Sequence, residues 1–446
     1  MAASQDFSTG SVKRQIIAQA VPLTVAQVVQ LLYNVVDRIY IGHLPLVGDV
    51  ALTGLGVTFP VIVLVAAFTS LFGSGGTALF SIARGRRDEE EASCILGNVF
   101  ALLLLSSGVL FALCYPLRRP VLLLFGASQA SVPYADQYLQ IYLFGTAFSM
   151  LSTGLNGYIN AQGFPKTGML TTILGAAINI ALDPLFIFVF GMGVRGAALA
   201  TVLSQAASAG WVLRFLTGKK ALLRLRASRV KISLKRTKAI VAIGMPGFVM
   251  QGTNSLVQIV CNNQLQAFGG DLYVGIMTVL NSVREILSLP VMGISNGAQP
   301  VLGFNYGAKK PHRVKEGIRF TSVLGILYTL LAWGVVMLIP RQMIGIFSND
   351  AQIVHTGAHM LNLYFFGFFF MAFQFVGQTT FQSLGKARQA IFFSLFRKAF
   401  IVVPLTLLLP AIGFGVEGVF LAEPISNAIG GLACFLTMWF LIYRKL

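Results

Sequence analysis

Asp37 is the first residue of this chain whose type and position could do chemistry. It lies in an apolar stretch, residues 21–42, where Gln30 and Asn34 precede it at helical spacing. The three polar side chains therefore share one face of a predicted helix. A carboxyl group inside an apolar span is costly unless it faces a cavity or a partner. The pattern predicts a functional site within a membrane.

A second acidic residue, Asp183, lies in another apolar stretch. Asn179 precedes it by four residues and so faces the same way. Pro184 follows directly, and because proline lacks an N–H, the carbonyl of Ile180 loses its usual helical donor. Thr201, on the next predicted helix, supplies a hydroxyl after a tight turn. Together these side chains and the freed carbonyl offer oxygen atoms to a proton, a water molecule or an ion.

The two acids and a proline indicate how such a site could work. Two carboxylates in a low-dielectric cavity repel each other, so that one of them keeps a proton until it is exchanged. Pro22 should kink the first helix, because proline removes one backbone hydrogen bond and clashes with the preceding turn. Pro22 and Pro184 are therefore the predicted hinge residues, and binding at the acids could change the kink at Pro22.

The composition is that of a membrane protein. The chain has 446 residues, of which 56% are hydrophobic and only 11% charged, and its mean hydropathy is +0.76. Soluble proteins carry about 25% charged residues, and apolar stretches of about 20 residues, long enough to cross a bilayer, recur throughout. We predict twelve spans and a retained first helix. Their approximate limits are 14–41, 50–81, 92–115, 134–161, 168–190, 196–218, 237–267, 271–303, 314–339, 351–382, 389–411 and 418–443.

The net charge of +18 follows from topology rather than from nucleic-acid binding. Most of the 33 basic residues, counted with those at adjacent helix ends such as Arg397 and Lys398, fall on the side of the N-terminus. By the positive-inside rule, both termini should be cytoplasmic, in a multi-pass protein of the plasma (inner) membrane. The basic excess should contact lipid, and no nucleic-acid partner is expected. The opposite gaps hold only Arg118, Arg119, Arg195 and Arg341.

The two halves of the chain repeat each other at an offset of about 222 residues. Gly75 aligns with Gly297, and GMGVRGAALA at 191–200 aligns with GFGVEGVFLA at 413–422. An even number of spans per half means that the halves run parallel, related by an axis along the membrane normal.

This repeat sets the predicted domains. An N-terminal six-helix lobe covers residues 1–217, and a C-terminal six-helix lobe covers 237–446. The junction, 218–236, has no acidic residue and is predicted to be a cytoplasmic, amphipathic linker that lies on anionic lipid. The fold class is thus an all-α polytopic membrane protein of twelve helices in two homologous lobes.

Several motifs of other protein classes lack their context. The GxGxxG pattern at 191–196 and again at 413–418 lies in turns between spans rather than in a dinucleotide-binding unit. His355 and His359 have the spacing of a zinc protease, but Thr356 stands where the glutamate should be. No P-loop or GxSxG motif occurs, so we expect neither an enzyme nor an ATP-driven pump, with no cofactor beyond a coupling ion and no firm metal site.

Three further charged residues lie in the predicted C-terminal lobe. Arg284 and Glu285 are adjacent in the eighth span and so point to different helix faces. Glu423 aligns with Thr201 in the repeat. Buried structural ion pairs explain these residues at least as well as a transport site does. Arg284, Glu285 and Glu423 are therefore second-rank candidates for site residues.

The whole chain resembles the MATE family of multidrug and toxin extrusion transporters, in its DinF-like bacterial and archaeal branch. The most specific marks are NVVDRIYIG at 34–42, ISNGAQPVLGFNYGAKK at 294–310, and NIALDPLF followed by Thr201. The resemblance implies the MATE/MOP-type fold and a site in the N-terminal lobe. That site would be formed by Asp37, Asn179, Asp183 and Thr201, with Gln30 and Asn156 as polar neighbours and with bending at Pro22. The seventh and tenth spans lack the acids of the other bacterial branch.

We therefore expect a monomeric multidrug efflux antiporter, of the kind that confers antibiotic resistance. It should export amphipathic, mostly cationic organic compounds and drugs in exchange for H⁺, or for Na⁺ bound at the four residues of the N-terminal site. The alternative is a flippase for lipid-linked oligosaccharides or other lipids, of the same superfamily. A flippase should line its cleft with cations to hold a diphosphate, and from the sequence only Arg38 and Arg284 lie outside the loops and their flanks.

Overall fold

The chain folds into long helices that match the predicted spans. The structure is a computed structural model that describes residues 6–44, 47–125, 127–347 and 351–446, and within these ranges it contains helices and no strands. The helices of the first half are α1 (Val12–Gly42), α2 (Gly48–Gly85), α3 (Glu89–Leu124), α4 (Val132–Phe144), α5 (Thr146–Ala161), α6 (Pro165–Pro184) and α7 (Val194–Thr217). Those of the second half are α8 (Leu234–Gly269), α9 (Asp271–Gly307), α10 (Pro311–Leu338), α11 (Pro340–Gly345), α12 (Ala351–Phe365), α13 (Met371–Ser383), α14 (Ala387–Leu395), α15 (Val403–Leu409) and α16 (Gly415–Met438).

Counting spans within the described ranges gives the twelve that the sequence predicts. Ten stretches are long and apolar enough to cross a membrane. One of them, Ala387–Tyr443, is broken at Gly413, whose φ of 111° is open to glycine but strained for other residues, and so provides two spans. The pair α4–α5, interrupted at Gly145, provides the remaining one.

Local sequence signals explain where helices begin and end. The Asp88 side chain accepts a hydrogen bond of 2.9 Å from the N–H of Glu91, and acidic residues fill the first turn of α3. A capping aspartate and acidic side chains at this end stabilise the exposed N–H groups and the positive end of the helix dipole. Proline opens α6 and α10, a position where its missing N–H costs nothing.

The helices form two compact units. The first contains the described residues from 25 to 244 together with Asp6, and the second contains residues 7–24 and the described residues from 245 to 446. Most of α1 thus belongs to the first unit while its start belongs to the second, and the start of α8 belongs to the first. The two changes of unit that fall inside helices lie beside a proline, Pro22 in α1 and Pro246 in α8. The predicted domain limits, which were placed between helices, stay a prediction.

Glycines allow close helix packing within each unit. A side chain at Gly75 would collide with backbone atoms of Ile240 and Gly244 on α8. Its repeat partner Gly297 lies equally close to Ala20 on α1. Close backbone approach through small residues is a common way to pack membrane helices, and the repeat preserves it.

The basic segment between the halves was predicted to be an amphipathic linker on lipid, and its contact with lipid stays a prediction. Before α8 begins at Leu234 it is irregular apart from one short turn, Ala227–Arg229, and it packs on α3 of the first unit. Arg229 lies 2.6 Å from a Glu90 oxygen, and Arg236 lies 2.7 Å from a Glu91 oxygen. The backbone N–H of Ser233 donates to Asn98 at 2.8 Å. These acids at the start of α3 attract the basic linker, which explains why it docks on protein.

Candidate functional site

The two acidic residues singled out by the sequence come together in the first unit. Asp37 on α1 is 8% exposed, and Asp183 near the end of α6 is fully buried. Their carboxyl groups lie within hydrogen-bonding reach of each other. In the described parts of the chain, neither carboxyl forms an ion pair. Two buried carboxyls this close do not both ionise readily, so the geometry favours one proton held between them.

Asn179 and Thr201 complete this group, which we call the acid cluster (Asp37, Asn179, Asp183 and Thr201). The Asn179 amide nitrogen lies 3.3 Å from an Asp183 oxygen and 3.5 Å from the Thr201 hydroxyl. Asn179 and Thr201 are both buried. The i, i+4 spacing on α6 aligns Asn179 with Asp183 as predicted, and the turn after α6 brings α7 alongside.

The acid cluster contains oxygen atoms with no hydrogen-bond partner. Oδ1 of Asp37, Oδ1 of Asn179 and Oδ2 of Asp183 are all buried and unpaired in the described structure. A buried acceptor without a donor costs free energy, and such groups are rare in folded proteins. Three of them on contacting side chains make the acid cluster suited to a proton or a cation.

Two tyrosines that the sequence reasoning missed, Tyr33 and Tyr138, contact the acid cluster, and a third, Tyr142, packs beside Tyr138. Tyr33 precedes Asp37 by one helical turn and, like Tyr138 on α4, approaches the Thr201 hydroxyl. Tyr138 and Tyr142 stack with ring centroids 5.9 Å apart. The only sequence signals were the i, i+4 spacings of Tyr33 with Asp37 and of Tyr138 with Tyr142. They add hydroxyl donors and aromatic faces to the site.

Gln30 and Asn34 do not join the acid cluster. Both side chains are exposed, and the Gln30 amide donates to Asn34 at 3.4 Å. The helical spacing with Asp37 is present, but Asp37 is buried while the other two face open space. They form a separate polar pair on the same helix.

Asn156 lies farther from the acids. Its amide donates to the Gly168 carbonyl at 3.1 Å and accepts from the Thr171 hydroxyl at 3.0 Å. Thr171 and Asn179 are eight residues apart on α6, which is about 12 Å along a helix. In this structure Asn156 therefore joins α5 to α6 rather than completing the acid cluster.

The two predicted hinge prolines differ in their surroundings. Pro22 is buried within α1, and the Thr24 hydroxyl donates to the Ala20 carbonyl at 2.9 Å, a contact that tends to bend helices. Pro184 ends α6, and the chain continues as a wider π-helical turn, Leu185–Val189. Such turns often occur at functional sites. Their role as hinges stays a prediction.

A second charged group, the cationic cluster (Arg284, Arg397, Lys398 and Glu423), lies in the second unit. Glu423 on α16 lies 3.2 Å from Arg284, 3.0 Å from Arg397 and 3.2 Å from Lys398. Glu285 is exposed and points elsewhere. Arg284 and Glu423 thus meet, as a structural ion pair would, and Glu285 does not join them.

The sequence-based placement of Arg397 and Lys398 at the cytoplasmic flank was wrong. The helix that carries them begins at Ala387, and both lie in its π-helical stretch Phe396–Val402. Lys398 follows Ala387 by eleven residues, about 16 Å along a helix, and is only 4% exposed. The argument that few cations lie outside the loops was therefore also wrong.

Comparison with known proteins agrees with this architecture. The chain is 24% identical over 440 residues to the multidrug export protein MepA of Staphylococcus haemolyticus, covering 98% of this chain and 94% of that protein. It is 22% identical over 437 residues to MepA of Staphylococcus aureus strain NCTC 8325, covering 98% and 95%. An outward-facing multidrug resistance MATE family transporter of the MOP superfamily superimposes with a TM-score of 0.92 at 23% identity, over 100% of both chains.

The family itself follows from a match to both halves. Residues 22–185 and 246–408 each match the MatE family model, and together they make up well over half of the chain. The two matched segments reproduce the internal repeat, and each begins at one of the prolines beside which the units change, Pro22 and Pro246. This chain belongs to the MatE family of membrane transporters.

Proposed function

We propose that this protein is a secondary active multidrug exporter that exchanges amphipathic, mostly cationic organic compounds for protons. The observation that carries the proposal is the acid cluster, with Asp37 and Asp183 buried together, unpaired by any described cation, and beside unpaired oxygens. An intramembrane carboxyl without a basic partner requires a proton or a bound cation to be stable. The acid cluster can therefore bind a proton or an organic cation, and binding of one weakens binding of the other.

Exchange follows from this competition. A bound organic cation neutralises the carboxylates and releases the shared proton, and a proton arriving from outside removes the anionic partner of the cation. Each occupant would favour a different shape of α1 at Pro22, so that proton entry and drug exit are linked. A ligand shifts the balance between the two shapes of α1 only if it binds one shape more tightly than the other.

The oxygen count favours H⁺ over Na⁺. Hard cations take about six or more oxygen ligands in proteins. The acid cluster offers three unpaired oxygens and the Thr201 hydroxyl, so Na⁺ would need water or the Ile180 carbonyl as well. A proton shared by two carboxyls needs no further ligand.

The proposed substrate class has two supports. The acid cluster attracts positive charge, and the faces of Tyr33, Tyr138 and Tyr142 can contact cations and aromatic rings alike. The relatives compared above are named multidrug export proteins. We further propose that the protein acts as a monomer in the plasma membrane. Its termini would be cytoplasmic, as the distribution of basic residues indicates.

The cationic cluster favours a second candidate, a flippase for lipid-linked oligosaccharides or related lipids. Three cations in one unit could hold a diphosphate. They already surround Glu423, however, and the acid cluster would have no role in moving an anionic lipid. Multidrug export uses the acid cluster directly and therefore comes first.

The proposal is tested by efflux of a lipophilic cationic dye from energised cells that lack their own exporters. Expression of the chain should lower dye accumulation, and a protonophore should abolish the difference. Cells that express Asp37→Asn, at the same level in the membrane as the wild type, should accumulate as much dye as cells without the protein. The control Asp136→Asn, a buried acid already paired with Arg118 and Arg119, should retain export. Undiminished efflux by Asp37→Asn would refute the assignment.

A further inference from the structure

The cationic cluster has an unbalanced charge. Three basic groups face one carboxylate, because Arg284, Arg397 and Lys398 all contact Glu423. In the described part of the second unit, no other carboxyl comes within 4.0 Å of these three cations. Arg397 has one neutral partner, the Asn427 oxygen at 2.8 Å. The group carries a net charge of two positive units when all four side chains are ionised.

This excess charge is largely removed from water. The side-chain exposures are 5% for Lys398, 8% for Glu423 and 12% for Arg397. Arg284 is the most accessible, at 30%. Uncompensated charge inside a membrane span is expensive, and buried ionic groups are normally balanced by partners of opposite sign. A bound anion would balance this charge.

A cavity of about 130 Å³ lies against the cationic cluster, lined by Arg284, Lys398 and Glu423. That volume has room for several water molecules. It is smaller than the pockets of about 300 Å³ or more that enclose drug-sized ligands. The space fits a small group such as a carboxylate or phosphate.

The cavity is also lined by neutral hydrogen-bonding groups. The Tyr364 hydroxyl donates to Asn281 at 3.3 Å, and the Asn281 amide donates to Gln258 at 3.2 Å. All three residues line the cavity. Arg284 lies over the Tyr364 ring, 6.0 Å from its centroid. This chain of contacts orients the wall and holds Arg284 at the cavity.

Donors in the cavity remain available to a ligand. A guanidinium has five N–H groups in a fork that suits carboxylate and phosphate oxygens. Arg284 donates one side-chain hydrogen bond in the described structure, to Glu423 at 3.2 Å. Lys398 reaches both Glu423 oxygens, at 3.2 and 3.3 Å, and the Glu423 carboxylate is thus an internal oxyanion held by the same donors.

We propose that this cavity in the second unit binds the carboxylate or phosphate group of an anionic ligand, held by Arg284 and Lys398. The bound group balances the excess charge and competes with Glu423 for the same donors. Its source is either a small organic or inorganic anion or the headgroup of an anionic lipid. The site is separate from the acid cluster, and the proposal does not depend on proton coupling there.

The competition with Glu423 gives the sharpest test. Thermal unfolding and calorimetric titration of the purified full-length protein would use inorganic phosphate and benzoate as probes, at constant ionic strength. Glu423→Gln removes the internal oxyanion, so its affinity for the probes should rise about tenfold or more over wild type. Anions should also stabilise this variant more than wild type, because its three cations have lost their partner.

Matched variants separate a binding site from a structural ion-pair network. Lys398→Gln and Arg284→Gln should each weaken probe binding by about tenfold or more. Glu417→Gln makes the same charge change on the same helix, but its carboxylate is exposed and pairs with His359, so probe binding should match wild type. If Glu423→Gln does not fold, loss of wild-type binding in Lys398→Gln and Arg284→Gln decides the question.

A lipid arm identifies the source of the anion. Stability in phosphatidylcholine nanodiscs would be compared with stability in nanodiscs that also contain phosphatidylglycerol. Stabilisation by phosphatidylglycerol without an effect of phosphate or benzoate assigns a lipid headgroup, and the reverse assigns a free anion. Absence of both effects in wild type overturns the proposal. So does an equal anion response of Glu423→Gln and Glu417→Gln, since the cationic cluster is then structural only.

Discussion

Removing one carboxyl of the acid cluster should change how many protons are released when a drug binds. In the wild type, Asp37 and Asp183 share a proton, and a bound organic cation expels it. In Asp183→Asn, the remaining carboxyl no longer faces a like charge and holds its proton less tightly, although its burial still favours the protonated form. Cation binding to this variant should therefore release fewer protons than binding to the wild type.

The magnitude can be worked from the proximity of the two carboxyls. Two unit charges about 4 Å apart interact by about 4 kcal/mol at an effective dielectric constant of about 20. Keeping a proton on an ordinary aspartate at pH 7 also costs about 4 kcal/mol. The repulsion alone thus offsets the cost of holding one proton, and the burial of both carboxyls adds to it. The pair should hold about one proton at neutral pH.

Calorimetry in buffers of different ionisation enthalpy measures this proton count. The dependence of the binding enthalpy on the buffer gives the number of protons released per drug bound. We expect about one for the wild type and clearly fewer for Asp183→Asn, with binding still detectable through Asp37. Asp136→Asn, whose carboxyl is paired with Arg118 and Arg119, should behave like wild type. Equal proton release by wild type and Asp183→Asn would show that the two acids do not share a proton.

Three further predictions concern topology and packing. In a variant without native cysteines, Lys220→Cys should react with a membrane-impermeant reagent only from the cytoplasm and Gln129→Cys only from outside; reaction of both from one side would overturn the topology. Gly75→Ala should lower the free energy of unfolding by about 1–3 kcal/mol, because its methyl group meets backbone of Ile240 and Gly244. The control Gly108→Ala, whose methyl group meets nothing within 4 Å, should be neutral or stabilising. Equal shifts of the unfolding temperature in the two variants would contradict this packing. Asn156→Ala should lower the free energy of unfolding by about 1–3 kcal/mol, because it loses the hydrogen bonds to Gly168 and Thr171. The number of protons released per drug bound should stay at the wild-type value, and a changed number would place Asn156 in the coupling site.

The sequence predicted the fold well because its strongest signals are collective. Long apolar runs, the repeat at about 222 residues and the glycine turns all point to the same twelve spans. Residues on neighbouring turns were also predictable, as Asn179 and Asp183 illustrate. The contacts of the basic linker with Glu90 and Glu91 at the start of α3 were missed, because they depend on tertiary packing.

Site residues that are close in sequence were predicted, and those that tertiary packing brings in from other helices were missed. Tyr138 reaches the acid cluster from α4, with Tyr142 packed beside it, and this helix has no acidic signal directed at the site. Lys398 was assigned to a flank because a basic residue near a predicted span end is usually solvated. The signal that could have placed it was Glu423, a predicted buried acid that requires a cationic partner from a neighbouring helix.

The most direct test of the central claim is drug transport by the purified protein in liposomes, with a pH gradient or a sodium gradient imposed alone. We predict that the pH gradient drives substrate exchange in wild type and in Glu423→Gln. Asp37→Asn should show no gradient-driven exchange, and Asp183→Asn should show depressed exchange with an altered pH dependence. A pH-driven flux that persists in Asp183→Asn with an unchanged pH dependence, but vanishes in Glu423→Gln, would place the coupling site in the second unit and contradict the account.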